Sequence, residues 1–563
     1  MDSLFPIFTV AAECQDCYKC VRQCPVKAIR VTNGHATVIP ELCVACGGCV
    51  TVCPAHAKQV RDDLKRVQRL IAGGQPVIVS LAPSWVSAWP DLEAGGMIAA
   101  LKALGFSEVS ETALGAQAVS SAVAEMLVKP GLLISSACPA AVEFISRYLP
   151  AFSACVTPLA SPLMAHARQL KERCRCRVVF IGPCIAKKLE ADRDPGLIDA
   201  VLTFEDLGRW FGEAGIEPRR LPAQGQFYPE PAAEGALYPI EGGMNETVRA
   251  RAPQAEYVSL TGLGEIERAL RDFDSAGLDK PVLLECLACE GGCVQGPCLG
   301  LRRDSLSGIL AVRRKAVWPS SLSTASASAR LGGITLCAPL KLKTPDENAI
   351  RAALRQLGKT CPADELNCGG CGYESCRQLA AALIAGQAEP EMCVSHMREI
   401  AHRKANALLR CMPSGVAIVA ADLRIIECNR RFAEIFGEQT RLAFEAVPGM
   451  AGAMIGRILP LEELYRAALE SGQDIVREHY DLNELKLNIT VFTIEPQATI
   501  GVIVQDVTES ELRRDQIARK AREVIQKNLV TVQEIACRLG EHMADTEILL
   551  NSIVQDYGKG EDE

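Results

Sequence analysis

The chain has 563 residues, enough for three to five domains of roughly 100 to 200 residues each. Charged residues make up 23% of it and the formal net charge is -8, which argues against nucleic acid and against an anionic membrane surface as partners. The N-terminus lacks a basic segment followed by a long apolar run, and no window reaches about 18 uncharged apolar residues. We therefore expect a cytoplasmic protein that makes no membrane contact.

The most unusual part of the composition is the set of 26 cysteines against only 7 histidines. In a long chain without an export signal, tight Cys-x-x-Cys groups indicate metal centres rather than disulfides. Thiolates without histidine favour iron-sulfur clusters or zinc, so the spacing of the cysteines has to distinguish the two.

Two cysteine runs open the chain, "CQDCYKCVRQCP" at 14–25 and "CVACGGCVTVCP" at 43–54, and both follow Cys-x2-Cys-x2-Cys-x3-Cys-Pro. Bacterial ferredoxins use this run for two [4Fe-4S] clusters, with the fourth cysteine of each run ligating the other cluster. Residues 5–62 thus resemble a two-cluster ferredoxin domain, the N-terminal domain. The resemblance implies two ligand sets: Cys14, Cys17, Cys20 and Cys53 for cluster one, and Cys43, Cys46, Cys49 and Cys24 for cluster two. The alternative is a pair of four-cysteine zinc sites, which usually show two separated Cys-x2-Cys pairs.

From residue 75 onward, apolar strands alternate with helical segments, which predicts an α/β fold. Three of the strands end in turns that carry cysteine: "KPGLLISSACP", "CRVVFIGPC" and "DKPVLLECLAC". Ligands gather at the carboxyl ends of strands in parallel α/β sheets, so we expect these turns to converge. The cysteines concerned are Cys138, Cys184, Cys286, Cys289, Cys293 and Cys298.

These turns resemble, in order, the three signatures of the [FeFe]-hydrogenase catalytic domain: "SSACP" (135–139), "GPCIAKKLE" (182–190) and "ECLACEGGC" (285–293), supported by "LAPS" (81–84) and "GGMNE" (242–246). The resemblance covers about residues 76–315, the central domain, and implies a two-lobed α/β fold. It also implies an H-cluster, a [4Fe-4S] cubane joined through one cysteine to a di-iron unit with CO, cyanide and azadithiolate ligands. The implied cubane ligands are Cys138, Cys184, Cys289 and Cys293, with Cys293 as the bridge.

The same resemblance gives roles to three polar residues. Lys187 would place an ammonium near one cyanide, where a buried anionic ligand needs a charge-assisted donor. Glu190 would hold that lysine, and Ser84 would hydrogen-bond the other cyanide. Without the flanking motif, Lys187 and Glu190 would be more typical of a surface i, i+3 pair, and the motif reverses this preference.

Departures from the family pattern concern proton transfer. Ala137 stands where hydrogen-producing members have a proton-donating cysteine, and Gly115 and Ala118 align with glutamates of the same path. Alanine neither donates nor accepts a proton, and general acid-base help is typically worth about 10²- to 10⁴-fold. We therefore expect slow turnover unless water or another path substitutes. The methionines that pack around the di-iron unit are also replaced, by Gly182 and Leu287.

The cysteines outside these motifs commonly act as small buried hydrophobes. Cys286 and Cys298 flank the proposed bridge and are candidates for another proton path. After a serine-rich stretch at 313–330, predicted to be a linker, residues 340–400 resemble a small [4Fe-4S] domain of redox enzymes and membrane electron-transfer complexes. Its ligands would be Cys368, Cys371, Cys376 and Cys393, and the alternative is a zinc knuckle. The cofactors expected are therefore three [4Fe-4S] clusters and an H-cluster.

Residues 404–508 resemble a PAS domain, with an Asn-bearing helix start "ECNRRF" and a last strand ending in Asp-Val-Thr. Such a domain binds a ligand or acts as a dimerising relay, and its only histidine is His479. Residues 509–555 predict one helix with a 4-3 seam of Ala521, Ile525, Asn528, Val532, Ile535 and Leu539. The seam fits either a coiled coil in a homodimer or a helix packed on its own domain.

The domain order resembles that of the sensory [FeFe]-hydrogenases. It implies slow binding and oxidation of H2, electron exchange with a ferredoxin-like carrier, and a PAS domain that acts on a downstream regulatory protein. The alternatives are a working ferredoxin-linked hydrogenase with a non-standard proton path, a non-catalytic relative in iron-sulfur assembly, and an electron-transfer adaptor without a di-iron unit.

Overall fold

The computed structural model describes residues 5–300, 305–319, 331, 333–334, 336–341 and 345–557. The chain divides into two units, Met1–Met397 and Arg398–Glu563. Most of the predicted linker, residues 320–330, lies outside the described residues. Within the described part of the chain, the helices are either too short or too polar to cross a bilayer.

The N-terminal domain is built from two short antiparallel strand pairs, β1 (Ile7–Thr9) with β4 (Lys58–Val60) and β2 (Ile29–Thr32) with β3 (His35–Val38). Each cysteine loop runs into a short helix, α1 (Lys19–Gln23) and α2 (Gly48–Thr51), and α3 (Leu64–Ala72) leads out of the domain. Strand β2 alternates buried and exposed residues, as expected when one sheet face is buried. Both cysteine runs therefore share one apolar core.

The first lobe of the central domain is a four-stranded parallel sheet in the order β6-β5-β8-β9. Its central strand β5 is buried at every position, which is typical of a parallel sheet covered by helices on both faces. The strands are β5 (Val77–Leu81), β6 (Glu108–Glu111), β8 (Arg177–Ile181) and β9 (Ala200–Leu202). The helices of this part of the chain are α4 (Trp85–Ala88), α5 (Ala94–Ala103), α6 (Ala113–Met126), α8 (Pro162–Arg173), α9 (Ala186–Arg193) and α10 (Phe204–Glu213).

The second lobe is a three-stranded parallel sheet in the order β10-β11-β7. Its strands are β7 (Gly131–Ile134), β10 (Glu256–Thr261) and β11 (Pro281–Leu287), and its helices are α7 (Pro139–Tyr148), α11 (Gly243–Arg249), α12 (Leu263–Arg271) and α13 (Ser305–Lys315). The predicted two-lobed α/β architecture is confirmed. Turns that follow β7, β8 and β11 carry the motif cysteines, so the two lobes contribute to the same site.

The small iron-sulfur domain contains two helices packed together, α14 (Glu347–Gln356) and α15 (Cys376–Ile384). Ser375 caps α15 by accepting a hydrogen bond from the backbone of Gln378, so the helix begins at the third motif cysteine. Buried residues of this domain, Leu379 and Met392, belong to the same apolar core as Val21 of the N-terminal domain. Helix α16 (Val394–Cys411) begins directly after Cys393.

The second unit contains a five-stranded antiparallel sheet in the order β13-β12-β16-β15-β14. The strands are β12 (Gly415–Ala420), β13 (Ile425–Cys428), β14 (Ile475–Leu482), β15 (Leu485–Glu495) and β16 (Thr499–Asp506), with helices α17 (Arg430–Ile435), α18 (Glu438–Ala446) and α19 (Glu462–Ser471). Fully buried side chains from the sheet and from α19 form its core. The predicted α+β PAS fold is confirmed.

The chain continues into α20 (Thr508–Tyr557), a single helix of 50 residues. Large apolar side chains from Leu512 to Val554 are exposed along it. Among the described residues, this helix does not pack along its own domain, which was one of the two predicted arrangements.

Candidate active site and cluster-binding sites

The three motif turns of the central domain converge. Cys138, Cys184, Cys289 and Cys293 line one cavity of about 20 Å³ at the junction of the two lobes. Cys138 lies at the N-terminus of α7, where Pro139 occupies the first helical position, and Cys184 precedes α9. Gly291 and Gly292, with φ of 73° and 88°, allow the sharp turn that brings the last two cysteines together. We call this space the thiol cavity.

Burial dominates the electrostatics of the thiol cavity. It raises the pKa of Cys184 to about 11, and it raises the pKa values of Cys289 and Cys293 further, with the neighbouring thiols adding to the shift. Four crowded thiols in a low-dielectric site resist ionisation unless a cation balances their charge. Bound iron provides that charge, and a coordinated thiol is deprotonated outright. The donor set therefore fits a cubane.

No three Cys, His, Asp or Glu side chains of the described residues surround a point suited to a single metal ion. A cubane requires a wider arrangement, because its four cysteines stand around a core of eight atoms. The cysteine groups are accordingly considered as sites for clusters.

A second cavity of about 90 Å³ adjoins the thiol cavity and shares Cys138, Cys184 and Cys293 with it. Its walls include apolar side chains such as Ala116, Phe180 and Leu287. Ser84, Ala137 and Lys187 also line it, so the structure brings together all these sequence-predicted residues. We call this space the apolar cavity.

Lys187 is buried in the wall of the apolar cavity, with only 8% of its surface exposed. Its Nζ donates to Glu190 Oε2 at 2.8 Å and to Ser161 Oγ at 3.0 Å. The pair is thus buried and not the surface pair that was the alternative. A buried ammonium needs such partners, and their geometry fixes its direction.

Ser161 was not predicted from the sequence. Its Oγ accepts from the backbone of Met164 and caps α8, with Pro162 at the first helical position. The Ser-Pro pair is a signal for a helix start, but nothing local connects it with Lys187, 26 residues later.

Ser84 is 1% exposed, and its Oγ has no hydrogen-bond partner among the described residues. Leaving a buried hydroxyl unpaired is unfavourable by about 1–3 kcal/mol. An acceptor atom on a group bound in the apolar cavity would satisfy it. The orphaned hydroxyl therefore fits the cyanide ligand that the motif implies.

Two glycines explain how this cavity differs from the family pattern. A Cβ at Gly182 would lie 2.6 Å from the ring of Phe180, so Phe180 fills the space beside the cavity that a longer side chain would need. A Cβ at Gly115 would lie 2.1 Å from the carbonyl oxygen of Pro162. No side chain fits at position 115, and Ala116 rather than Gly115 lines the cavity.

Two further hydroxyls border the apolar cavity, and both lead into buried networks. Thr112 shares a hydrogen bond of 2.8 Å with Ser80, which in turn bonds to His166 Nδ1. Burial lowers the pKa of His166 to about 3, so the ring is neutral. The chain continues to Ser110, which is fully buried. Tyr238 bonds to Ser120 at 2.9 Å.

The N-terminal cysteines form two groups. Burial raises the pKa of Cys43 to about 12 and that of Cys46 to about 11, and Cys24 is among the neighbouring thiols that raise both values. Cys49 has the same neighbours. Cys24 of the first run thus lies with the second run, while Cys20 has Cys14 and Cys17 as neighbours. Cys53 follows Val52, the residue that caps the C-terminus of α2.

Cys46 also lines the thiol cavity, so the loop of cluster two adjoins the central site. The next residue, Gly47, has a φ of 82°. A Cβ there would lie 2.6 Å from the ring of Pro297 and 2.9 Å from Ile185 Cδ1. The backbone of this loop therefore rests directly on the chain that carries the central cysteines.

The four cysteines of the small domain, Cys368, Cys371, Cys376 and Cys393, line one cavity of about 10 Å³. Burial raises the pKa of Cys371, with Cys393 and Cys368 as charged neighbours. Of the two cysteines considered for a proton path, Cys286 and Cys298 are both 0% exposed, and neither lines the thiol cavity or the apolar cavity.

In the second unit, Asn429 is buried at the start of α17. Its Oδ1 accepts from Phe432 N and its Nδ2 donates to Leu409 O of α16, both at 2.9 Å. His479 is exposed at an irregularity of β14, outside the apolar core. A ligand inside the domain would therefore have to be held by other residues.

Comparison with known proteins divides the chain into the same regions. Residues 75–297 match the family model for the C-terminal domain of the iron-only hydrogenase large subunit. Residues 7–66 match the 4Fe-4S dicluster domain, 364–395 an Fe-S cluster domain and 404–480 the PAS domain.

Among characterised proteins, the chain is similar to the NADP-reducing hydrogenase subunit HndD of Solidesulfovibrio fructosivorans, with 24% identity over 367 residues. That alignment covers 50% of this chain and 63% of HndD. A component of the ion-translocating oxidoreductase complex of Methanosarcina acetivorans is 48% identical over 48 residues, 8% of this chain and 18% of that protein. The chain thus spans less than two thirds of either relative.

Solved structures similar to the chain include a variant of the [FeFe]-hydrogenase HydA1 from Chlamydomonas reinhardtii. It is 21% identical, with 47% of this chain and 92% of that chain covered and a TM-score of 0.37. The PAS domain of nitrogen regulation protein NR(II) from Vibrio parahaemolyticus is 20% identical, with 18% and 96% covered and a TM-score of 0.15.

Proposed function

We propose a slow, sensory [FeFe]-hydrogenase activity for this chain, which carries the C-terminal domain of an iron-only hydrogenase large subunit together with iron-sulfur and PAS domains. It would bind and oxidise H2 at an H-cluster and pass the redox state through three [4Fe-4S] clusters to the PAS domain. One observation carries the proposal. A single apolar cavity is bordered by the groups that would hold the cofactor and by Ala137, which cannot move a proton.

The residues of the two cavities would divide the work of holding the H-cluster. Cys138, Cys184, Cys289 and Cys293 would ligate the cubane. When bound, the di-iron unit supplies the open iron at which hydrogen is split. Lys187, held by Glu190 and Ser161, would donate to one anionic ligand of that unit, and Ser84 would donate to another. The apolar walls keep bulk water away from these bonds, which strengthens them.

Slow turnover follows from the residue beside Cys138. A catalytic proton needs a donor within hydrogen-bond reach, and Ala137 places a methyl group at that point of the cavity. The buried networks behind Thr112 and Tyr238 are the nearest hydroxyl alternatives, and the first ends at buried Ser110. A sensor tolerates such a rate because it has to respond to hydrogen without consuming much of it.

Two features support an output through the second unit. Helix α16 starts one residue after Cys393 of the small domain, and its Leu409 carbonyl is held by Asn429 of the PAS domain. Helix α20 exposes a column of Ile525, Val532, Leu539 and Ile553 at multiples of seven residues. Leu529, Met543 and Leu550 flank this column, which would suit a coiled coil with a second copy of the chain. A regulatory protein and a ferredoxin-like carrier would be the remaining partners.

The test is infrared spectroscopy of protein made anaerobically together with the maturation machinery for the di-iron unit. The expected result is a set of CO and cyanide bands, with H2-dependent dye reduction far slower than in hydrogen-producing enzymes. If the bands are absent, neither hydrogenase function holds, and an electron-transfer adaptor or an assembly protein remains. Bands with fast turnover would instead support a working hydrogenase with a different proton path.

A further inference from the structure

Arg22 connects two of the cysteine loops. It lies in α1 between Cys20 and Cys24, and its guanidinium donates to the carbonyl oxygen of Cys17 at 2.8 Å and to that of Gly370 at 3.3 Å. Cys17 belongs to the loop assigned to cluster one. Gly370 lies between Cys368 and Cys371 in the loop assigned to the small-domain cluster. One cation therefore bonds to the backbones of two cluster loops, and its partner Gly370 lies 348 residues from Arg22 in the sequence.

The contact between these loops is close over several residues. Gly372 has a φ of 94°, and a Cβ there would lie 3.0 Å from Val21 Cγ1 and 3.1 Å from Arg22 N. A residue with a side chain would thus push the small-domain loop away from α1. Lys27 Nζ lies 5.9 Å from the ring centre of Tyr373 and adds a second cation at the same junction.

Hydrogen bonds outside the loops hold the two domains in this position. The carboxylate of Glu389 accepts from the backbone N–H groups of Asn33 at 2.5 Å and Gly34 at 3.2 Å, at the turn between β2 and β3. Val31 N donates to Gln387 O at 2.9 Å. Residues of both domains also share one apolar core. The junction is therefore a built interface between the domains.

We propose that Arg22 is a positioning residue shared by cluster one and the small-domain cluster. Its two hydrogen bonds set the spacing of the two loops, and its charge raises the reduction potentials of both clusters. The physical reason is that a reduced cubane carries one more negative charge than the oxidised one, so a nearby cation stabilises the reduced form. This inference rests on the cluster assignments of the proposed function and not on the H-cluster.

The consequence concerns which clusters are neighbours. Cluster two adjoins the thiol cavity through Cys46, and the small-domain cluster adjoins cluster one through Arg22. The small domain would then exchange electrons with the clusters of the N-terminal domain. It is also the domain whose last cysteine, Cys393, leads into α16.

The experiment uses the full chain reconstituted anaerobically with iron and sulfide, without the maturation machinery. Each cluster is followed by electron paramagnetic resonance during a reductive titration, for the wild type, Arg22→Gln and Arg69→Gln. Arg69 is the matched control, because it is an exposed arginine of α3 that donates to Lys65 O within its own helix. Iron and sulfide analysis confirms that the variants keep their clusters.

For Arg22→Gln, we expect two of the four midpoint potentials to fall and the other two, including that of the central cubane, to stay. A tenfold change in the reduction equilibrium is about 59 mV for a one-electron couple, and a shift of up to this size is expected for each of the two, because the exposed Arg22 side chain is partly screened by water. Arg69→Gln should move none. In a Cys371→Ser background, which removes the small-domain cluster, Arg22→Gln should shift only one. A shift of a single cluster in the otherwise wild-type chain, or of more than two, would overturn the proposal.

Arg22→Lys separates charge from geometry and carries the test if Arg22→Gln loses iron. It keeps the cation but lacks the planar fork that reaches two carbonyls at once. We expect potentials near the wild-type values and a weaker magnetic interaction between the two reduced clusters. An unchanged interaction would show that Arg22 does not set the spacing. Because the di-iron unit is absent from these samples, the result is independent of the infrared test.

Discussion

The residues in the wall of the apolar cavity fall into two groups, which we call its two sides, and the groups differ in what they can do. On one side, Lys187 is held by two hydrogen bonds, and the Ser84 hydroxyl is buried without a partner among the described residues. On the other side, Ala137 stands next to Cys138 and packs with the apolar cluster that includes Ala116. The first side is suited to holding anionic ligands. The second has a methyl group beside Cys138 where a proton donor would be needed, with the hydroxyls of Thr112 and Tyr238 as the nearest alternatives. Binding a cofactor and transferring a proton beside it are therefore separable properties, and this chain keeps the residues expected for the first.

Lys187→Met should have the largest effect, because Lys187 is one of the residues expected to hold the di-iron unit. Removing one partner of a buried pair typically costs about 3–5 kcal/mol, and the Glu190 carboxylate would lose its cation. We expect the CO and cyanide bands to be lost while the iron content of the cubanes stays near normal. Lys102→Met is the control, since Lys102 pairs with Glu108 on the surface. Full-strength bands in Lys187→Met would show that the lysine does not hold the di-iron unit.

Ala137→Cys changes the position at which a proton donor is missing. A thiol beside Cys138 restores a proton donor, and we expect turnover to rise by about 10²-fold, the lower end of the range for general acid-base catalysis. The measurement is H2-dependent dye reduction by fully matured protein. Ala116→Cys is the control, because Ala116 lines the same cavity at another point. Equal rates in all three proteins would place the limiting step elsewhere.

Gly115→Ala tests whether backbone packing keeps any side chain, and with it any proton-relay residue, out of position 115. The added methyl would meet the Pro162 carbonyl at 2.1 Å, and overpacking of this kind typically costs about 1–3 kcal/mol. Thermal unfolding should show a lower midpoint. Gly208→Ala in α10 has open space around its Cβ and should raise the midpoint slightly. If Gly115→Ala is as stable as the wild type, α6 and α8 can move apart and position 115 is open to a relay residue.

Ser84→Ala should have the smallest effect, and its sign should depend on the cofactor. Without the di-iron unit, removing an unpaired buried hydroxyl should leave stability unchanged or raise it by about 1 kcal/mol. In matured protein, one cyanide band should shift. Ser87→Ala is the comparison, because Ser87 donates to Gly308 O and loses that bond in either state. A destabilised Ser84→Ala without cofactor would mean that the hydroxyl already has a partner.

Spacing within the cysteine motifs was enough to predict the iron-sulfur and hydrogenase-like domain types and the convergence of the three turns, because each motif is local and each of the three strands ends at the junction of the two lobes. The side chains that complete the site were not predictable in this way. Ser161 meets Lys187 only because the fold brings the start of α8 to α9, and Phe180 fills the space at Gly182 from its position two residues earlier, on β8. Arg22 looked like an ordinary charged residue between two cysteines. Its second partner, Gly370, is supplied by another domain.

The seam of the last helix shows a different limit. The sequence predicted a seam that includes Asn528 and Ile535. The exposed column of Ile525, Val532, Leu539 and Ile553 is, however, also flanked by Leu529, Met543 and Leu550. All of these apolar side chains are exposed on a single helix, so nothing within one chain selects a register. Only the partner surface can decide which residues form the contact.

Gly47 helps to set the distance over which electrons would pass between cluster two and the central cubane. Its missing side chain lets the loop of Cys46 touch Pro297 and Ile185, and so it fixes how near cluster two could come to the central cubane. Electron tunnelling falls off exponentially with the gap between donor and acceptor. The rate at which hydrogen-derived electrons leave the central site would then depend on the absence of one methyl group. The cysteine motifs alone do not indicate this distance.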